Sequence, residues 1–172
     1  MVIVVVAAGC ATSDANQPTA SDQADVRFAQ HMVPHLLQTT AIVHLAEDRT
    51  TRPELVRLAP IIDRQAQAHL GQLQGWLASR GLAPYDPQQD PNRGKETDLA
   101  RLAQTGEARF DLAFLKVMTA RHRAASKLAA TEAREGSVPE LRGLAQQLQA
   151  ECQDQIAKMT RWASAWSKTK GA

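Results

Sequence analysis

The chain has 172 residues, a net charge of +2 and two cysteines. That length suits one domain able to bury roughly 68–70% of its unfolded surface, and a composition led by Ala, Leu, Gln and Arg with few aromatics favours helix over sheet. The cations are interspersed with acids, which argues against a nucleic-acid partner, and two cysteines make no disulfide framework.

The chain opens on an apolar run, Val2-Ile3-Val4-Val5-Val6-Ala7-Ala8-Gly9-Cys10, too short to cross a bilayer as a helix. Small residues directly before a Cys resemble a bacterial lipoprotein signal, so residues 1–10 read as a signal segment with Cys10 acylated. No Lys or Arg precedes the run, and Ala7 stands where Leu is usual. Residues 11–24, rich in Ser, Thr, Asp, Asn and Gln, read as a flexible tether from membrane to domain. The domain itself should span residues 25–172.

A first helix is expected from Asp22 or Asp25, either able to cap it, to about Asp48, with Phe28, Met32, His35, Ile42 and Leu45 on its apolar stripe. Pro34 removes a backbone donor within it and leaves the carbonyl of Gln30 without its usual partner. Pro53 starts a second helix at its first position, with a stripe of Leu55, Leu58, Ile62, Ala66, Leu70, Leu73, Trp76 and Leu77, and Gly81 follows its last turn. Residues 82–95 hold Pro84, Pro87, Pro91 and Gly94 and must form a loop. A helical pattern restarts at Thr97-Asp98, is divided at Gly106, and continues through Phe110, Phe114, Met118, His122 and Leu128 to Glu135-Gly136. Pro139-Glu140 begins a last helix, to about Lys168. In it Cys152 falls in register with Leu141, Leu144, Leu148, Ile156 and Met159, as a buried structural thiol would.

The second half echoes the first. A shift of 86 residues maps Asp111, Phe114, Met118, Pro139, Glu140, Leu141, Leu144 and Trp162 onto Asp25, Phe28, Met32, Pro53, Glu54, Leu55, Leu58 and Trp76. Two helical hairpins, residues 25–80 and 111–166, each with one apolar face, bury those faces best against each other. The expected fold is therefore all-α, an antiparallel four-helix bundle of ferritin-like type made of two repeated hairpins.

The order and spacing of these residues resemble the bacterial domain-of-unknown-function family 305 (DUF 305). Its members carry Asp-x-x-Phe-x-x-x-Met-x-x-His-His, then Leu-Ala, then Glu-Ile-x-x-Met-x-x-Trp. Here the first half reads Asp25, Phe28, Met32, His35, Leu58-Ala59, His69-Leu70, Leu73 and Trp76. The second reads Asp111, Phe114, Met118, Arg121-His122, Leu144-Ala145, Gln155-Ile156, Met159 and Trp162. The resemblance implies a ferritin-like bundle exported to the cell envelope, some members of which bind Cu(I) or Ag(I) through Met and His. Leu36, Arg121 and Leu73 replace family ligands, and Ile42 and Leu128 stand where a Met is frequent.

The surviving candidate ligands are Met32, His35, Met118, His122 and Met159, with His31 and His69 as further imidazoles. Thioethers with imidazoles suit Cu(I), and His31 and His35, one turn apart, offer a surface pair for Cu(II) or Zn(II). The alternative is that the methionines fill core gaps and the histidines are satisfied by hydrogen bonds. His44 should face solvent, and Trp76 and Trp162 should close the bundle ends. No Glu-x-x-His pair, G-x-S-x-G, P-loop, H-E-x-x-H or C-x-x-C occurs, so no enzyme is expected. The reading is an envelope-anchored protein that binds or buffers a soft ion, most plausibly Cu(I). Its rival is a non-catalytic interaction or structural lipoprotein with a degenerate site. The membrane is the expected partner through Cys10, with a protein partner unspecified and homo-oligomers left open.

Overall fold

The computed structural model of the chain describes residues 20–84, 86 and 97–169. The apolar run with Cys10, the tether up to residue 19 and most of the expected loop over 82–95 lie outside the described residues. Five α-helices make up the rest: α1 Ala20–Glu47, α2 Pro53–Ala78, α3 Asp98–Gln104, α4 Glu107–Glu135 and α5 Pro139–Thr169. There is no strand among the described residues, and no helix is long and apolar enough to cross a membrane.

The stops follow local chemistry. Pro53 and Pro139 occupy first helical positions, where a missing N–H costs nothing. Gly81 adopts φ +66°, and the amides of Gly81 and Leu82 donate to the carbonyls of Ala78 and Leu77, both at 3.0 Å, closing α2 in a Schellman-type turn. Thr97 caps α3 by accepting from the Ala100 amide, and Gly106 separates α3 from α4.

One expectation is corrected. Helix α1 starts at Ala20, so residues 20–24 of the expected tether are helical, and Asp25 does not cap α1. Its buried carboxylate instead accepts from the amides of Ser137 and Val138, each at 3.1 Å, ahead of α5. Those amides are orphan donors at a helix start, and a carboxylate from another helix meets them as well as a local cap does. Asp111 on α4 correspondingly accepts from Arg52 Nε at 3.2 Å, in the turn ahead of α2.

Helix α1 packs on α2, α4 on α5, and α1 on α4, while α3 lies against α1 and α4. Arg49 ties α3 down by donating to the carbonyls of Leu102, Ala103 and Thr105. Two apolar clusters fill the interior. One gathers Phe28, Met32, Leu73, Leu77, Leu141 and Leu144; the other gathers Ile42, Leu55, Phe110, Phe114, Met118, Met159 and Trp166. A layer of polar side chains lies between them, at mid-height of the long helices.

Candidate metal centre

That polar layer surrounds a small cavity, with about 30 Å³ open to the centre of a water-sized sphere. Helix α1 contributes His35, Leu36 and Thr39, and α2 contributes Ile62, Gln65, Ala66 and His69. Helix α4 adds His122 and Ala125, and α5 adds Leu148, Glu151, Cys152 and Gln155. Except for His35, the lining falls into pairs 86 positions apart: Leu36 with His122, Thr39 with Ala125, Ile62 with Leu148, Gln65 with Glu151, Ala66 with Cys152 and His69 with Gln155. The position answering His35 is Arg121.

Each imidazole is held differently. His69 donates from Nε2 to Glu151 Oε2 at 2.8 Å, across from α2 to α5, and its Nδ1 is buried with no partner. His122 meets the Gln155 amide oxygen through Nε2, and the Gln155 amide nitrogen donates to Gln65 Oε1 at 2.6 Å. Burial pushes the His122 imidazole down to about 4; its hydrogen bonds to Gln155 and the Met118 backbone oppose that, and the Arg121 charge adds to it. Burial likewise pushes His35 down to about 3, reinforced by Arg121 and His122. Both rings are therefore neutral near pH 7, the form in which imidazole binds metal. Arg121 is itself buried and donates to the His35 carbonyl at 2.7 Å and to Gln38 Oε1 at 3.1 Å, which holds its charge beside the cavity. Asp98 approaches it at 3.8 Å.

The seven expected ligands thus divide. His35, His69 and His122 come together at the cavity. Met32 is fully buried in one apolar cluster, Met118 and Met159 in the other, and none of the three lines the cavity. His31 is exposed on α1, so it does not share a surface with His35, which turns inward. Among the described residues no three His, Cys, Asp or Glu side chains are grouped closely enough to hold a metal ion together. Sequence reasoning assigned Cys152 to the core and passed over Glu151 and Gln155. Cys152 is indeed buried and free, with its thiol pushed up to about 12 by burial and by Glu151, but it also lines the cavity. His44 is exposed, as expected, and approaches Asp63 at 3.2 Å. Trp76 packs partly buried at one end, and Trp162 stacks on Trp166 at the other, with centroids 6.2 Å apart.

The profile of the family described as Domain of unknown function (DUF305) matches residues 25–163. The chain belongs to the DUF305 family. No curated protein matches it by sequence. Among solved structures, this DUF305 protein is similar to CopM in its Cu(II)-bound form, with a TM-score of 0.73 and 23% identity over 83% of this chain and 97% of that one. The Cu(I)-bound form of CopM matches with a TM-score of 0.70. A DUF305 fragment from Deinococcus radiodurans matches with a TM-score of 0.73 and 22% identity over 83% of this chain and 96% of that one. At these identities the likeness establishes the shared helical fold.

Proposed function

We propose that this is an exported, lipid-anchored and non-catalytic protein that binds or buffers a soft monovalent ion, Cu(I) or Ag(I). The scaffold is an antiparallel four-helix bundle of two repeated hairpins, and the ion enters the cavity at its centre. The observation that carries this reading is the convergence of His35, His69 and His122 on one cavity of ionic size. A space of about 30 Å³ accommodates a water molecule or a bare ion and is too small for a metabolite. Neutral imidazoles are competent ligands without any proton leaving them. CopM, with the same helical fold, has been crystallised with Cu(I) and with silver. A DUF305 protein from Streptomyces coelicolor assigned to the secreted class supports export, and acylation at Cys10 would provide the anchor.

A second reading has its own support. The three methionine thioethers are committed to apolar clusters, and Leu36, Leu73 and Arg121 stand in place of family ligands. On that reading the scaffold is an interaction or structural lipoprotein with a degenerate site. An anaerobic Cu(I) titration of the unlipidated Cys10→Ala chain against a chromophoric competitor separates the two. Uptake of one ion that joint replacement of His35, His69 and His122 by Leu abolishes supports the first; absence of uptake leaves the second.

A further inference from the structure

Cys152 sits in the core register, yet its neighbours on α5 give it a setting that a packing thiol does not need. Glu151 holds His69, and Gln155 holds His122, so Cys152 lies between the two residues that anchor the imidazoles facing it. Residues 152 and 155 share one face of the helix, which puts the thiol in the wall of the same cavity. His69 provides the second, independent feature. Its side chain is only 3% exposed, and the Glu151 carboxylate accepts a hydrogen bond from Nε2, which leaves Nδ1 as the ring's open nitrogen. That nitrogen is buried and has no hydrogen-bond partner, which is rare in folded proteins. A carboxylate fixing one ring nitrogen while the other stays open is the arrangement that supports histidines bound to metal.

We propose that Cys152 and His69 Nδ1 together form a two-ligand site for one thiophilic monovalent ion in this cavity. The proposal rests on the soft-ion reading above and names the atoms that take the ion. Two ligands suffice for Cu(I) or Ag(I), which accept low coordination and favour sulfur. They also fit the absence of a three-residue cluster among the described residues. Charge conservation singles out a monovalent guest. The S–H bond breaks, the proton leaves to solvent, and the sulfur–metal bond forms, so one unit of positive charge replaces another and nothing is oxidised or reduced. The cavity gains no net charge, whereas a divalent ion would add one. In the empty protein the thiol stays protonated, pushed up by burial and by Glu151, and so resists oxidation, which follows thiolate character.

The test uses the full chain carrying Cys10→Ala, so that Cys152 is its sole thiol, titrated anaerobically with Cu(I) and read by ultraviolet absorption and by competition with a chromophoric chelator. The expected result is a thiolate-to-metal charge-transfer band that saturates at one ion per chain. Cys152→Ser should remove the band and weaken binding by about 10- to 100-fold, and His69→Gln, which can still donate to Glu151, should weaken it comparably. One ion bound by the Cys10→Ala chain with no such band, and with unchanged affinity in Cys152→Ser, overturns this inference and leaves a site of histidines alone. No ion bound at all overturns the soft-ion reading as well. Because the band is read first on a chain with Cys152 intact, a variant that fails to fold does not remove the test.

Discussion

Glu132→Gln isolates the most heavily perturbed carboxyl of the fold. Glu132 lies near the end of α4, 1% exposed, beside Asp25, and neither of its oxygens has a donor. Burial raises its pKa from 4.5 to about 8, reinforced by the hydrogen bond to Asp25 and the Asp25 charge, with Arg142 opposing. A neutral Glu132 resolves the missing donor, since its own O–H donates to Asp25. A raised carboxyl pKa means that the folded chain binds this proton more tightly than the unfolded chain does. Its contribution is therefore complete below pH 4.5 and is lost as pH rises towards about 8. At 1.36 kcal/mol per pH unit, linkage over that window gives a loss of roughly 2–4 kcal/mol between about pH 5 and about pH 9. Gln keeps the shape and the donor and has no proton to lose. Urea unfolding of both proteins across that range should show the stability of wild type falling relative to the variant by that amount. His35 and His122 also titrate differently on folding, but they are common to both chains and cancel in the difference. Parallel curves, agreeing within about 0.5 kcal/mol at every pH, would refute a buried neutral Glu132, because so small a difference is ordinary for surface changes.

Asp25→Ala should cost about 1.5–3 kcal/mol in urea unfolding, because it removes charge-assisted acceptors from Ser137 and Val138. Gly136→Ala should cost about 1–3 kcal/mol by the same measurement: its Cβ would collide with Glu132 Oε1 and meet the Glu132 carbonyl oxygen at 2.8 Å, and only the former can swing away. Arg121→Met should raise the His35 pKa from about 3, followed by NMR titration of the imidazole, since it removes the neighbouring cation; an unchanged value would assign that shift to burial and His122. In acid, the stability due to neutral His35 and His122 should be lost as pH falls below 6.5 towards about 4 and 3, and double replacement by Leu should flatten that limb of the profile.

Much of the fold could be read from punctuation along the chain. Pro53, Gly81, Thr97, Gly106 and Pro139 each mark a helix end for a stated backbone reason, and the stripe from Leu55 to Leu77 is buried apart from the partly covered Trp76. Asp25 misled because a cap is recognised from its local sequence, whereas this carboxylate serves amides 112 and 113 residues away. The site was half visible. The histidines could be counted, but periodicity alone cannot tell a buried side chain that packs from one that borders a void, so the methionines read as ligands and Cys152 as a packed thiol, whereas of these four Cys152 alone lines the cavity. The overlooked signal lay in the unlike members of the 86-residue pairing. His69 answers Gln155 and Cys152 answers Ala66, and both pairs line the cavity. These two mismatches fall at the cavity, whereas others, such as Leu73 with Met159, fall in the core.

The exchanged carboxylates bear on how the chain folds. Asp25, carried by α1, completes the turn between α4 and α5, while Asp111, carried by α4, holds Arg52 in the turn between α1 and α2. Neither helix pair can finish its own connection until the other has docked. Partially assembled states therefore lack the clasp that would stabilise them, which favours a single cooperative unfolding event. A chain cut between α3 and α4 would yield two fragments, each with a frayed turn and an unanswered acid, that regain order only by finding one another.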